Sequence, residues 1–205
     1  AVLSFGSTGQ IYTQIAKGAP FEVFLAADRA RPRKAGADGL GIEQTRFTYA
    51  TGKIVLYSRN PDLIEGPSTL KKSGFSKIAI ANPVTAPYGA AAIEAMEKLG
   101  AYAALKDKIV QGNNIAQTHQ FVQSGNAEVG FVALSQVAPH QDGSRWPVPQ
   151  NLYTPIAQDA ILLTAGKDTP AARAFLRFLG GPAANKVKEA FGYGVGEPPK
   201  TRPDA

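Results

Sequence analysis

Apolar and polar positions alternate along this chain in short blocks, each closed by glycine, proline or a small polar residue. Val2–Phe5 and Val23-Phe24-Leu25-Ala26 read as strands. Between them Ile11 and Ile15 lie four apart, the apolar face of a helix that runs to Lys17 and stops at Gly18. Phe47–Ala50 and Ile54–Tyr57 are extended segments around Gly52-Lys53, and Lys77–Ile80 is a further strand. A helix is expected from about Ala90 to Leu99. Ile109-Val110 is then a short strand before Gly112-Asn113-Asn114, which opens a helix to about Gln123. Val129–Leu134 is apolar throughout and predicts a strand buried on both faces. Pro139–Leu152 reads as a surface loop, Ala160–Leu163 as a late strand, and Pro170–Leu179 and Pro182–Phe191 as closing helices. Strands that alternate with helices in this way predict an α/β architecture.

Composition narrows what such a chain does. Of its 205 residues 44% are hydrophobic and 19% charged, which suits a packed core, and no apolar run approaches the ~18 residues of a membrane span. A formal charge of +6 favours anionic partners. The distribution argues against nucleic acid. The densest basic run, Arg29–Lys34, has no interleaved aromatics, and Arg173, Arg177, Lys186 and Lys188 are scattered along helical segments as on a solvated surface.

Catalytic chemistry has little foothold. The absence of cysteine excludes thiol chemistry and cysteine–zinc sites. His119 and His140 have no second ligand at metal-binding spacing. Neither Ser7 nor Ser135 lies in a G-x-S-x-G elbow, and Gly6-Ser7-Thr8-Gly9 lacks the Gly-Lys-Ser/Thr ending of a phosphate-binding loop. Trp146 reads as a packing residue of its loop, and Asp28 as a cap after its strand. The expectation is a binding protein, not an enzyme, with no cofactor.

One device does recur: a strand, a short polar or glycine-bearing turn, then a helix start. It occurs at Ser7-Thr8-Gly9, Tyr88-Gly89-Ala90 and Asn113-Asn114-Ile115. A helix start exposes unpaired N–H groups and about half a positive charge, so it binds an anion without any basic side chain. Ser, Thr and Asn are also ordinary helix caps, and each start taken alone reads more readily as a plain cap.

The wording of the chain extends this reading. Leu3-Ser4-Phe5-Gly6-Ser7-Thr8-Gly9, Gly18-Ala19-Pro20, Val23–Asp28, Ala81-Asn82-Pro83, Ala86-Pro87-Tyr88-Gly89, Gly112–Ile115, Gly125–Val132 and Phe175–Pro182 together resemble the periplasmic molybdate/tungstate-binding receptors of ABC transporters. The resemblance covers nearly the whole chain in order. It implies a type II periplasmic binding-protein fold, with a first lobe from residues 1–52 plus 160–205, a second from 53–159, and a ligand cleft between them. It implies that Thr8, Tyr88 and Ile115, with Ser7, Gly9 and Asn114 beside them, hold molybdate or tungstate as an oxyanion, with no free metal cation. Where some receptors carry a tyrosine late in the strand at Phe131–Leu134, this chain has Ala133, which aligns it with the subgroup that uses Tyr88.

The same resemblance implies export to the periplasm by a signal peptide not present in this chain, action as a monomer, and delivery to the permease subunits of a transporter. The receptors begin with a strand and helix upstream of what is Val2 here, and that segment is expected to be missing from this sequence. Two other readings stand beside this one: the same fold holding sulfate, phosphate or another small anion, and a ligand-sensing domain of a transcriptional regulator. A donor-only site suits a tetrahedral dianion, which accepts hydrogen bonds at every oxygen and offers none. Selection among dianions of equal charge and shape then rests on cavity size.

Overall fold

The computed structural model describes residues 1–72, 74–140 and 142–196. In chain order its elements are α1 (Thr8–Ala16), β1 (Val23–Leu25), α2 (Ala30–Ala37), β2 (Phe47–Gly52), β3 (Ile54–Ser58), β4 (Ile78–Ala81), α3 (Pro87–Lys98) and α4 (Tyr102–Leu105). There follow β5 (Ile109–Gly112), α5 (Ile115–Gln123), β6 (Val129–Ala133), α6 (Leu134–Val137), β7 (Ser144–Pro147), β8 (Ile156–Leu162), α7 (Pro170–Leu179), α8 (Pro182–Ala190) and β9 (Gly194–Val195). The chain divides into two compact units. Ala1–Gly52 and the described residues from Ile156 onward form the first, and Lys53–Pro155 form the second. Residues 197–205, placed in the first lobe by the sequence, lie outside the described residues.

The first unit is an antiparallel sheet of order β1-β8-β2-β9. Its central strand, β8, shows why the sheet is buried on both sides. Ile161 and Leu163 pack with Ile15, Phe24, Ala26 and Ala35 under α1 and α2. The alternate residues, Ala160 and Leu162, pack with Phe47, Ala172, Leu176 and Leu179 under α7. This is the period-2 alternation of a strand serving two helical layers.

The second unit is a mixed sheet of order β5-β4-β6-β3-β7. β4 runs parallel to both β5 and β6, so the C-terminal ends of these three strands share one end of the sheet. α3 follows β4, α5 follows β5 and α6 follows β6. The starts of all three helices are therefore gathered at that end, where open α/β sheets bind ligands.

Four expectations are corrected. Val2–Phe5 is not a strand: no ladder pairs it among the described residues, and Val2 and Phe5 are 99% and 86% exposed. Apolar alternation makes a strand only where a neighbour supplies hydrogen bonds. The loop at 139–152 contains β7, whose Ser144–Pro147 pairs with β3 at the sheet edge, the one place a strand tolerates proline. α3 starts at Pro87 rather than Ala90, because proline at the first helical position is already set for the helix. α2 was not anticipated, and it takes up most of the basic run. Its Arg31 pairs with Asp28, its Lys34 with Asp38, and the capping Arg29 lies 3.7 Å from Asp159. Of the run, Arg29, Arg33 and Lys34 are exposed and Arg31 is half-buried.

Candidate functional site

At the start of α1, Ser7 is the N-cap, with extended backbone angles. Its own N–H donates to Gln10 Oε1 at 3.1 Å, half of a capping box. The return bond is not made. Ser7 Oγ is buried, the residue being 4% exposed, and it has no hydrogen-bond partner among the described residues. A buried hydroxyl left this way costs about 1–3 kcal/mol, so its persistence is itself informative.

Thr8, also buried, is held differently. Its Oγ1 accepts the Ala27 N–H at 3.0 Å, which ties the start of α1 to the chain leaving β1. With that lone pair occupied, the hydroxyl proton is directed elsewhere. Thr8, Gly9 and Gln10 are the first three helical residues, whose N–H groups have no acceptor inside the helix. Within one turn, then, two buried hydroxyls and a row of N–H groups share the positive end of the α1 dipole. Asp28 acts locally as expected, accepting the Arg31 N–H at 2.8 Å at the first turn of α2.

In the second unit the three strand ends present unequal sets of donors. At α5, Asn114 Oδ1 accepts the Gln117 N–H at 2.9 Å, and Gln117 Oε1 accepts the Asn113 N–H at 2.6 Å. These bonds satisfy the flanks and leave Ile115 and Ala116, the first two helical residues, with outward N–H groups. Asn114 is thus a cap by its side chain, and the donor chemistry passes to the backbone beside it.

The start of α3 is a poorer backbone site than its sequence suggests. Pro87 has no N–H, and those of Gly89 and Ala90 donate to the Ala86 carbonyl at 2.9 and 3.3 Å. What this helix offers is Tyr88, its second residue, which is 5% exposed. At the third strand end, Gln136 joins β6 to α5: its Oε1 accepts the Ala133 N–H and its Nε2 donates to the Ile115 carbonyl, both at 3.0 Å. Sequence reading passed over Gln136, because nothing in the local pattern says that it reaches a helix 21 residues earlier.

His119, on α5, is half-buried and contacts Gln123 Nε2 at 3.1 Å, while Tyr57 donates to Asp142 at 3.0 Å and accepts from Gln123 at 3.2 Å. Burial lowers the His119 pKa, with His140 adding to the effect. Among the described residues no group of His, Asp and Glu is arranged to hold a metal ion.

Residues 1–194 match the family model described as bacterial extracellular solute-binding protein. The chain is 54% identical over 200 residues to the molybdate-binding protein ModA of Azotobacter vinelandii, covering 95% of this chain and 79% of that protein. It is 50% identical over 190 residues to ModA of Rhodobacter capsulatus, covering 93% of this chain and 75% of the relative. In structure it is similar to the periplasmic molybdate-binding protein of Azotobacter vinelandii, with a TM-score of 0.91 at 39% identity, over 95% of this chain and 87% of the other.

Proposed function

The chain belongs to the bacterial extracellular solute-binding proteins, and from that membership we propose that it captures molybdate or tungstate and delivers it to the permease of an ABC transporter. It binds and releases its ligand unchanged; the relatives at 50% and 54% identity are binding proteins, not enzymes. Ser7, Thr8 and Gly9 supply one set of donors from the first unit. Tyr88 and Ile115 supply the other from the second, with Asn114 fixing the start of α5. The protein works in the periplasm as a monomer.

The observation that carries this reading is the buried, unpartnered Ser7 hydroxyl at the start of a helix. The donors named are hydroxyls and N–H groups, which match a fully ionised dianion. Holding the charge with dipoles avoids the desolvation cost of a buried counter-ion.

The direct test is an unfolding titration with molybdate, tungstate, sulfate and phosphate. A ligand at 100 times its dissociation constant stabilises the native state by about 2.7 kcal/mol. The expected result is a large shift with molybdate and tungstate alone. An equal or larger shift with sulfate or phosphate would move the assignment to those anions, and no shift with any of them would overturn it.

Ser7→Ala gives a sharper signature. Without ligand the variant is expected to be more stable by about 1 kcal/mol, because an unsatisfied buried hydroxyl is gone and no capping bond is lost. Molybdate affinity should fall about tenfold to a hundredfold, the worth of one hydrogen bond to a charged group. Urea unfolding and calorimetric titration together read both signs. A variant less stable without ligand, yet equal in affinity, would make Ser7 an ordinary cap.

A further inference from the structure

The Gln136 side chain bridges two of the three strand ends in the second unit. Its amide orientation is fixed by its partners: Oε1 faces the Ala133 N–H and Nε2 faces the Ile115 carbonyl, each at 3.0 Å. A flipped amide would set donor against donor and acceptor against acceptor. The Ile115 carbonyl and the Ala116 N–H belong to one planar peptide group. A hydrogen bond to that oxygen therefore fixes the direction of the adjoining N–H and polarises it as a donor. Ala133 is 3% exposed at the end of β6, so the anchor is rigid.

We infer that Gln136 is a positioning residue that fixes the Ile115–Ala116 peptide at the start of α5, so that the Ala116 N–H, beside that of Ile115, points at the bound oxyanion. This rests on the molybdate reading above. The bond network of Asn114 and Gln117 satisfies the flanking N–H groups from within α5. Gln136 restrains this peptide from outside that helix.

Two near-isosteric substitutions separate positioning from general stability. Gln136→Met keeps the volume and removes both bonds. Gln136→Glu keeps an acceptor for the Ala133 N–H but sets a carboxylate oxygen against the Ile115 carbonyl. Molybdate affinity is expected to fall about tenfold in the first and further in the second, one to two hydrogen bonds' worth of donor alignment. The new carboxyl, set against the Ile115 carbonyl, has its pKa raised above the ordinary value of about 4.3. Lowering the pH from 8 to 5 protonates it and returns an O–H donor to the Ile115 oxygen. The affinity ratio of Gln136→Glu to the unmodified protein should therefore narrow at pH 5, while that of Gln136→Met should not. Taking ratios at each pH removes any change in the ligand itself.

Calorimetric titration gives the affinities, and urea unfolding without ligand gives the stability of each variant. If the unmodified protein binds molybdate while both variants match it within twofold, this inference fails and the functional reading stands. If the unmodified protein does not bind, the functional reading is what fails. A loss of affinity in both variants with the same ratio at pH 5 and pH 8 would also overturn the positioning role, since a merely structural defect has no such pH dependence.

Discussion

Gly89→Ala is expected to destabilise the protein by about 3 kcal/mol or more, at the upper end of what overpacking costs. A Cβ at this position would lie 2.0 Å from the Ala81 carbonyl oxygen, 2.7 Å from its carbon and 3.0 Å from the Asn82 carbon. All three atoms are backbone, and Ala81 is fully buried in β4, paired with Gly112 of β5. No side chain can turn aside to relieve the overlap. The first turn of α3 must instead lift off the end of the sheet, and Tyr88 moves with it. Misplacing a binding group by about 1 Å costs on the order of a hundredfold where geometry matters, so molybdate affinity should fall steeply as well. Thermal unfolding should show a midpoint about 6–12 °C lower for a domain of this size. Gly18→Ala is the control. Its φ of +85° carries the left-handed penalty of about 1–2 kcal/mol, but no atom lies within 4 Å of the added carbon. Equal losses at the two glycines would mean that the close approach of α3 to β4 is not what Gly89 provides.

That approach was only partly legible in the sequence. Ala86-Pro87-Tyr88-Gly89 announces a helix start, and Pro170 and Pro182 mark the starts of α7 and α8 where the structure has them, because proline at the first position loses no hydrogen bond. The same rule explains why α2 was missed. Pro32 is its third residue and reads as a breaker, yet the N–H it lacks is one of those that have no partner in any helix. β7 and Val2–Phe5 fail in opposite directions for one reason: a strand is defined by its neighbour. Ser144–Pro147 has β3 beside it, and Val2–Phe5 has nothing paired with it.

The candidate site divides in the same way. The sequence pattern located the starts of α1 and α5 and set that of α3 three residues late. It does not reveal that the Ser7 hydroxyl makes no bond to its own helix, that Pro87 and Ala86 use up donors of α3, or that Gln136 holds α5 from α6. Those are facts about rotamers and long-range contacts. Local spacing carries no information on either.

Asp159→Ala should be the most damaging change to the first unit. The carboxylate is 1% exposed in β8 and accepts from Arg46 Nη1 and Thr48 Oγ1, both at 2.7 Å, with Arg29 Nε at 3.7 Å. Its backbone carbonyl takes the Ala26 N–H at 2.9 Å. Asp159 therefore joins three segments: β2 through Thr48, the exit of β1 through Ala26, and β8 itself. Removing one partner of a buried pair strands the other and costs about 3–5 kcal/mol. Here the lower end applies, about 3 kcal/mol, because the Arg46 side chain is 25% exposed and keeps Glu43 at 2.7 Å. The Thr48 hydroxyl is left as an unsatisfied buried group.

The same logic predicts recovery in the double variant. Arg46→Met with Asp159→Ala removes the stranded charge, so its loss should be smaller than the sum of the single losses by about 1–3 kcal/mol, the usual coupling of groups in direct contact. Urea unfolding of the four proteins closes the cycle. Additive losses would mean that the pair is not coupled and that Asp159 matters only through Thr48. The exit of β1 also carries Ala27, whose N–H holds Thr8. Asp159→Ala should therefore weaken molybdate binding along with stability, and Thr48→Val, which removes the β2 hydroxyl but leaves the carboxylate and its arginine, should lower stability alone.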